Sequence, residues 1–540
     1  MPLPFFKIPA MHLLALGLVC FLAIVPFFWQ GSPSGHDFEF HMFSWMEVLR
    51  QWKQGHVYPR WAPLAHWGYG EARFLFYPPA SWMMGAGLGV ALPWKEVPGA
   101  YCWLALLFAG MAMYKLARTW LAPGDALFAA VLYAVNPYHL LVVYWRSALA
   151  ELLAASLLPL LFLAILRLTE SGPRPVIGLG LIFAAAWLVN APAAMMIHYS
   201  AAGLAAGSAI LHRSGRILWR TTLAVLLGAG LASFYLIPAV YETRWVNIGE
   251  VLAPGLRPQD NFLFTNTAEP EHNQFNRLVS TVAATEIAFL ALAIWVSRKE
   301  RGKKNPRWLL LALWSSGAAL IMVAISAPFW RILPKLQFVQ LPWRWLLCLN
   351  VGMVLLLTMA IRRRVWRAAA ALVLIAALWL AGHRIQPPWW DSAADITEMS
   401  DAIADASGYE GTDEYVPAGV DPYELNKDLP QVTASFLQTA PAKVLEWNSE
   451  DRRVVVQAGS AGIVTLRLFN YPAWEATVNG QAVATQSTEV TGLMQIAVAA
   501  GTNDIRVHFG RTLDRKLGAG ASLLSLALLA GVWMRVRRRA

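Results

Sequence analysis

The sequence has 540 residues, of which 57% are hydrophobic and only 14% are charged. Many apolar runs are long enough to cross a hydrocarbon core of about 30 Å, so the composition excludes an ordinary soluble protein and predicts a polytopic membrane protein. The net charge of +11 does not indicate nucleic-acid binding, because the basic residues form short clusters between apolar runs, as in cytoplasmic loops. Three cysteines without a CxxC spacing argue against a disulfide framework and a thiolate metal site.

About twelve transmembrane helices are predicted from the apolar runs and the basic clusters beside them. Because these clusters fall on one side, we expect both termini to be cytoplasmic and residues 30–97, 243–278 and 384–516 to face outward. No small-residue cleavage site follows the first run, so we expect an uncleaved helix there. The predicted spans lie near residues 11–29, 98–118, 125–142, 150–167, 176–191, 193–211, 219–240, 279–297, 308–326, 343–361, 367–383 and 517–534.

A group of ionisable residues follows the first span, in the stretch Gly35-His36-Asp37-Phe38-Glu39-Phe40-His41. Asp37 and His41 are four residues apart, so on a helix both project from one face. Asp37 is suited to deprotonate a hydroxyl nucleophile or, together with His41, to bind a divalent metal such as Mg²⁺ or Mn²⁺. His36 and His41 are candidate metal ligands and candidate substrate-binding residues. Two plainer alternatives stay open: Asp37 as a helix cap, and His36 and His41 as solvated side chains that bind nothing.

Two helices of the outer segment 30–97 are predicted to lie at the membrane interface. Residues 38–54 carry apolar side chains at helical spacing, which is typical of an amphipathic helix. Residues 79–93 are apolar, but they are too few for a span and are bounded by prolines. We therefore expect neither helix to cross the membrane.

The loop between these helices, residues 58–79, is rich in aromatic, glycine and proline residues. Such a loop forms a rigid pocket, in which aromatic side chains such as Trp61 and Tyr77 suit a sugar or a lipid headgroup. Arg60 and Arg73 are suited to neutralise a phosphate there. An aromatic belt at the membrane interface explains the same residues equally well.

Three ionisable residues stand at or near membrane depth. Arg146 and Glu151 flank a short outward turn between two predicted helices, and Arg344 follows Pro342 at the outer end of another. Ionisable residues in a membrane are costly and are therefore functional candidates, here for binding a substrate. A structural pair between Arg146 and Glu151, and an Arg344 side chain that extends to the interface, are the alternatives.

The chain divides into three parts by composition. Residues 1–385 are predicted to form a transmembrane catalytic bundle, and residues 513–540 a final helix with a basic cytoplasmic tail. Between them, residues 386–512 have more charged and turn residues and are predicted to form an extracytoplasmic domain. The apolar runs of residues 443–510 have strand length, and Asn479-Gly480 is a strong hairpin signal, so we expect a small antiparallel β-sandwich there.

Several of these motifs, taken in their order along the chain, resemble the C-type glycosyltransferase (GT-C) superfamily. Within it, the chain is most similar to bacterial membrane proteins of the 6-pyruvoyl-tetrahydropterin synthase-related or YfhO-like group. The motifs are His36-Asp37, Gly55-His56-Val57-Tyr58-Pro59-Arg60-Trp61, Phe76-Tyr77-Pro78-Pro79, Arg146 with Glu151, Pro342-Trp343-Arg344, and Phe469-Asn470-Tyr471-Pro472-Ala473-Trp474 before Asn479-Gly480.

The resemblance implies a GT-C-like polytopic α-helical fold of about 12 transmembrane helices in the bacterial inner (plasma) membrane. It implies inverting transfer of a sugar from a polyprenyl-phosphate donor to a glycan, lipid or protein acceptor on the extracytoplasmic side, in the building of cell-envelope glycans. The acidic residue of the superfamily's first outer loop corresponds to Asp37, as a general base or as part of a metal site. Members often carry paired acids there, whereas this chain has His36 beside Asp37 and then Glu39, so metal dependence is open.

Two other functions remain possible on the sequence: a transporter or flippase of lipid-linked sugars, and a non-catalytic scaffold for envelope assembly. Against transport, the sequence has no internal repeat of the kind that many transporters carry. It also has no Walker loop, GxSxG, HExxH or dinucleotide fingerprint in a suitable context, which argues against ATP-driven transport, serine hydrolysis and nucleotide redox chemistry.

Overall fold

The computed structural model describes residues 8–298, 306–434 and 442–539. Most of this chain is helical, and its long apolar helices form one bundle. In chain order the helices are α1 (Ala10–Leu22), α2 (Phe27–Gln30), α3 (Phe38–Lys53), α4 (Ala65–Gly68), α5 (Arg73–Phe76), α6 (Pro79–Ala91), α7 (Val97–Ala117), α8 (Pro123–Ala134), α9 (Pro137–Leu141), α10 (Leu149–Ala154), α11 (Leu157–Arg167), α12 (Arg174–Val189), α13 (Ala191–His212), α14 (Arg216–Leu231), α15 (Ser233–Glu242), α16 (Pro270–Ser297), α17 (Pro306–Ile321), α18 (Ala327–Ile332), α19 (Leu346–Ala360), α20 (Arg364–Ile385), α21 (Ala393–Ala404) and α22 (Leu513–Arg539).

The membrane spans match the prediction in position but not in every shape. Within the described residues, nine helical segments are long and apolar enough to cross a membrane, or eleven if each of two bent pairs is one span. The bends are 78° between α14 and α15 and 93° between α17 and α18, and α12 is a shorter apolar helix. Together with α12, these segments lie at the positions of the predicted runs. The polytopic helical fold is confirmed, and the number of about twelve spans stays a prediction.

Helix α3 is more deeply buried than the interfacial amphipathic helix that the sequence predicts for these residues. Its polar residues Glu47 and Gln51 are buried together with Trp45. Helix α6 packs closely on one side, because a Cβ at Gly85 would lie 2.1 Å from the Trp45 ring, and only glycine leaves room for that ring. Helix α21 also packs on α3. The side that the sequence pattern assigns to water is therefore covered by protein.

The β-strands form a two-stranded pair and a sandwich of two antiparallel sheets. The sandwich sheets have the strand orders β3-β6-β10-β9 and β4-β5-β11-β7-β8, which confirms the predicted sandwich. Asn479 and Gly480 both have positive φ and connect β7 to β8, as the predicted hairpin requires. The strands are β1 (Ser32–Pro33), β2 (Trp390–Asp391), β3 (Val432–Thr433), β4 (Lys443–Trp447), β5 (Asp451–Ala458), β6 (Gly462–Phe469), β7 (Trp474–Val478), β8 (Gln481–Val483), β9 (Thr485–Ser487), β10 (Leu493–Val498) and β11 (Gly501–Phe509).

The sandwich is attached to one end of the bundle by buried contacts. The fully buried ring of Trp61, in the loop 58–79, packs against Tyr471, Trp474 and Phe509 of the sandwich. Below them, the two Glu242 carboxylate oxygens at the end of α15 accept hydrogen bonds from Arg515 of α22, both 2.8 Å long. In addition, β1 pairs with β2, so the segment after α20 lies beside the start of the segment 30–97.

Candidate active site

The sequence-predicted residues Asp37, Arg146, Glu151 and Arg344 converge at the end of the bundle that carries the sandwich. The Glu151 carboxylate accepts hydrogen bonds from Arg146 Nη1 at 2.7 Å and from Arg344 Nε at 3.0 Å. On the other side of Arg146, its Nη2 lies 3.7 Å from Asp37 Oδ2. One carboxylate thus holds two guanidinium groups, and a second carboxylate stands beside one of them. We call these four residues the acid–guanidinium cluster.

A close backbone contact places Asp37 beside Arg146. Arg146 ends a π-helical turn, Val142–Arg146, and the next residue, Ser147, has left-handed backbone angles (φ 49°). The Ser147 hydroxyl accepts the Gly35 N–H and donates to the Pro33 carbonyl, while the Asp37 N–H donates to the Arg146 carbonyl at 3.0 Å. A Cβ at Gly35 would lie 2.4 Å from the Arg146 carbonyl carbon, so this approach requires glycine.

Arg344 is held by a turn of 3₁₀ helix, Pro342–Trp345. Its Nη1 donates to the Val339 carbonyl at 2.8 Å and to Gln340 Oε1 at 3.0 Å. The same turn places the Trp343 ring 4.7 Å from the Arg146 guanidinium carbon, a cation–π contact. Both guanidinium groups are therefore fixed in position before any ligand binds.

Asp37 is the exposed member of the cluster. Its side chain is 37% exposed, whereas those of Arg146 and Glu151 are 3% and 1% exposed. Asp37 occupies the N-cap position of α3, but its carboxylate makes no capping hydrogen bond. The helix-cap alternative therefore lacks its defining contact, and the carboxylate can receive a proton from a bound molecule.

His41 and Tyr77 line the neighbouring wall. The His41 Nε2 accepts the Leu149 N–H at 3.2 Å, which places the ring proton on Nδ1. Burial lowers the pKa of His41 to about 4, so the ring is neutral near pH 7. The Tyr77 ring is partly buried and lies 5.9 Å from the His41 ring and 4.7 Å from the Phe40 ring. Burial, with a smaller contribution from Asp37, raises the pKa of Tyr77 well above 10.

The region that matches a protein family contains three of the four residues of this cluster. Residues 74–386, more than half of the chain, match the 6-pyruvoyl-tetrahydropterin synthase related domain, which is described as a membrane protein. The chain belongs to this family. Arg146, Glu151 and Arg344 lie inside the matched region of this synthase-related membrane family, whereas Asp37 precedes it.

Solved structures are more weakly similar to this chain. A cryo-EM structure of a mutant of arabinofuranosyltransferase AftD from Mycobacteria is 17% identical, with a TM-score of 0.45 over 75% of this chain and 30% of that chain. The apo oligosaccharyltransferase of Archaeoglobus fulgidus is 13% identical, with a TM-score of 0.39 over 75% of this chain and 57% of that chain. This chain thus covers less than a third of the AftD chain and just over half of the other. No curated protein matches the sequence.

Three predicted binding residues of this family member make no hydrogen bond or ion pair with the four residues of the acid–guanidinium cluster, although the Arg73 guanidinium carbon lies 4.4 Å from the Phe40 ring. Trp61 is enclosed by the sandwich contacts, and Arg60 lies among Glu450, Arg511 and Arg515, where burial lowers its pKa. Arg73, in the loop 58–79, is buried. There its guanidinium donates to Glu71, Ser44 and Thr412, so its hydrogen bonds serve the protein itself. The structure therefore does not bring these three residues together with Asp37.

His36 borders the cluster without bonding to it. Its exposed ring meets the Phe275 ring edge-on at 4.6 Å, and the Trp389 ring lies 6.4 Å away. Phe275 in turn lies 5.8 Å from the Trp343 ring. His36 thus stands beside the cluster, where aromatic rings from α16 and from the segment after α20 meet.

The residues of this site do not fit a divalent metal. Within the described part of the chain, no group of three or more His, Cys, Asp or Glu side chains is arranged to hold a metal ion. Of the two candidates, His41 already uses Nε2 to accept a hydrogen bond, and Asp37 faces the positive charge of Arg146, which repels a cation.

A second layer of buried polar groups lies behind the cluster, and the sequence analysis missed it. Glu151 also accepts the Tyr138 hydroxyl at 2.5 Å, and the Tyr138 N–H donates to Glu286 of α16 at 3.1 Å. Asn350 of α19 donates to Glu286 at 3.0 Å and to Asn136 at 3.2 Å. A lone Glu286 in an apolar span is the sequence signal that points to this layer.

Proposed function

We propose that this family member is an integral membrane glycosyltransferase. It would transfer a sugar from a polyprenyl-phosphate donor to a hydroxyl group of an acceptor on the extracytoplasmic side of a bacterial inner membrane. The observation that carries the proposal is the partly exposed Asp37 carboxylate, which stands 3.7 Å from a guanidinium that Glu151 fixes in place. This pairing brings a base next to a positively charged group in a site bordered by apolar helices.

The proposed reaction is one displacement at the anomeric carbon of the donor sugar. Asp37 accepts the proton of the acceptor hydroxyl as the acceptor oxygen forms its bond to that carbon. The bond between the anomeric carbon and the phosphate oxygen breaks, and its electron pair leaves with the polyprenyl phosphate. A single displacement from the opposite face inverts the configuration of the sugar.

Arg146 and Arg344 are placed to stabilise the departing phosphate. Negative charge on the leaving oxygen is stabilised by groups that are already oriented, and a dry site strengthens that attraction. Both guanidiniums are buried and held by Glu151, so neither has to reorganise when the charge develops. Arg146 Nε is buried and has no hydrogen-bond partner within the protein.

The sugar site is proposed to lie beside Tyr77. Of the residues predicted to bind substrate in the aromatic loop 58–79, Tyr77 is the one that adjoins the cluster, and Phe40 and His41 lie against its ring. Flat aromatic faces with a few polar groups suit the binding of a sugar ring. The neutral His41 belongs to this wall, because its ring faces Tyr77 while its Nε2 holds the start of α10.

A donor assay tests the proposal. The purified full-length protein is incubated with a panel of polyprenyl-phosphate sugars and hydroxyl acceptors, and released polyprenyl phosphate is measured. We expect release with at least one donor, also in the presence of a metal chelator, because the site does not fit a metal. Asp37→Asn should lower the rate by about 10²–10⁴-fold, the usual contribution of a general base.

Glu39→Gln is the matched control for this assay, because Glu39 is an exposed acid on the same helix two positions away. It should keep the wild-type rate. Full activity of Asp37→Asn would contradict the role of Asp37. Movement of intact donor across sealed vesicles without release would instead support the transporter, and neither release nor movement would support the scaffold.

A further inference from the structure

An open apolar groove lies between α12, α14 and α22, at the end of the bundle away from the sandwich. It has a volume of about 500 Å³. Leu223 and Leu227 of α14, Val176 of α12 and Leu528 of α22 contribute to its apolar walls. Arg515, near the start of α22, contacts Glu242 beneath the sandwich. The groove residues of α22 come more than a dozen positions later, towards the opposite end of that helix.

The groove has the length of one membrane leaflet. On α14 its lining residues run from Arg216 to Leu227 at helical spacing, so they form one stripe along the helix. Eleven residues of α-helix rise about 16 Å, which is close to half of a hydrocarbon core of about 30 Å. A single acyl chain of one leaflet therefore matches the length of this stripe.

One end of the groove is positively charged. Arg216 and Arg220 both line it, and the described lining contains no carboxylate. Arg220 donates to the carbonyls of Leu168, Glu170 and Gly172, which fixes its guanidinium. Arg216 is exposed, and the exposed Trp219 ring lies beside it at the level where tryptophan usually meets lipid headgroups. This end attracts an anion, whereas the rest of the groove attracts hydrocarbon.

We infer that the groove binds an anionic glycerophospholipid of the leaflet opposite to the sandwich. The headgroup phosphate lies at Arg216 and Arg220, and an acyl chain fills the apolar stripe between the three helices. Other exposed arginines, Arg174 at the start of α12 and Arg535 near the end of α22, add positive charge at the same end. The site is remote from Asp37 and does not depend on the proposed glycosyl transfer.

Native mass spectrometry of the full-length protein in mild detergent tests this inference. The protein is titrated with phosphatidylglycerol, phosphatidylcholine of the same acyl chains, or polyprenyl phosphate. We expect phosphatidylglycerol to be retained most strongly. Arg216→Gln should weaken its binding by about fivefold, the effect of one basic side chain near a headgroup. Leu528→Trp, at an exposed position, should fill the groove and reduce binding of both glycerophospholipids.

Arg364→Gln is the matched control, because Arg364 is an exposed arginine that begins α20 as Arg216 begins α14, but it does not line the groove. It should bind phosphatidylglycerol like the wild type. The inference is overturned by equal retention of phosphatidylcholine, by unchanged binding in Arg216→Gln or Leu528→Trp, or by preferential retention of polyprenyl phosphate.

Discussion

Glu151 is the residue that holds the acid–guanidinium cluster together. Its carboxylate is almost fully buried and accepts hydrogen bonds from Arg146, Arg344 and the Tyr138 hydroxyl. With Asp37 included, two carboxylates face two guanidiniums, so the charges of the cluster balance. A buried charge that loses its partner is costly, because neither water nor a counter-ion replaces the lost interaction.

Replacement of Glu151 is therefore predicted to lower the free energy of unfolding through the loss of a charge as well as the loss of hydrogen bonds. Glu151→Gln should lower the free energy of unfolding by about 3–5 kcal/mol, because two buried guanidiniums lose their counter-charge. Tyr138→Phe removes one hydrogen bond to the same carboxylate and should cost about 1.5–3 kcal/mol. Denaturant unfolding of both variants in detergent measures the difference, and an equal cost for the two would contradict the charge argument.

The sequence pointed to individual residues of the site better than to their neighbours. Asp37, Arg146, Glu151 and Arg344 stood out because ionisable groups are rare beside apolar spans, and the structure brings these four together. Glu286 carried the same kind of signal and was missed. The prediction of binding roles for Arg60, Trp61 and Arg73 rested on local composition alone. Composition does not show which side chain a fold uses for its own contacts, and Arg73 is used in this way.

The burial of helix α3 raises the pKa of an acidic residue on it, Glu47. Glu47 is fully buried; its Oε1 accepts the Leu64 N–H at 2.7 Å, and its Oε2 has no hydrogen-bond partner. Burial raises the pKa of Glu47 to about 8, so the carboxyl is largely protonated at neutral pH. In the unfolded chain the same group has its ordinary pKa of about 4.5.

Stability should therefore fall as the pH rises from about 4.5 to about 8, because the folded state binds the Glu47 proton more tightly than the unfolded state does. The stabilising effect is fully present below about pH 4.5 and is lost as the pH rises through about 8. Glu47→Gln imitates the protonated group and should reduce this fall by a few kcal/mol, with the largest gain near pH 8. Part of the fall should remain, because burial also raises the pKa of Glu414, to about 7.

Thermal unfolding across this pH range measures the effect. The control is Glu489→Gln, which changes an exposed acid of the sandwich and should leave the pH profile unaltered. An identical pH profile for Glu47→Gln and the wild type would show that Glu47 is ionised in the folded protein.

Elements were predictable where one local pattern decides them. Long apolar runs placed the spans, and Asn479-Gly480 placed a hairpin, because positive φ at both turn residues is a local property. The burial of α3 depends on partners outside that helix, such as Gly85 against Trp45. Periodicity within one segment does not contain that information.

In the whole molecule, the segment 30–97 and the sandwich form one continuous layer on the bundle. Trp61 packs into the sandwich, Arg73 and Glu71 both contact Thr412, and β1 pairs with β2. These contacts join residues that are more than 300 positions apart. The sequence predicted both parts separately, but it did not predict their contact, since complementary surfaces leave no periodic signal.

The proposed chemistry depends on the position of Asp37 relative to this layer. Every proposed step requires the Asp37 carboxylate to be open to solvent on the side of the sandwich. Helix α20 has 22 residues and is about 33 Å long. Its last residue, Ile385, lies five positions before β2, which pairs with β1 near Asp37, so its first residue, Arg364, should lie on the opposite side of the membrane.

Cysteine labelling in sealed vesicles of known orientation shows on which side of the membrane position 37 is open to solvent. The natural cysteines are buried and should react little. We predict that Asp37→Cys reacts with a membrane-impermeant thiol reagent from the same side as Glu446→Cys, an exposed position of β4, and that Arg364→Cys reacts only from the other side. Reaction of Asp37→Cys from the side of Arg364→Cys, or from neither side, would contradict the account.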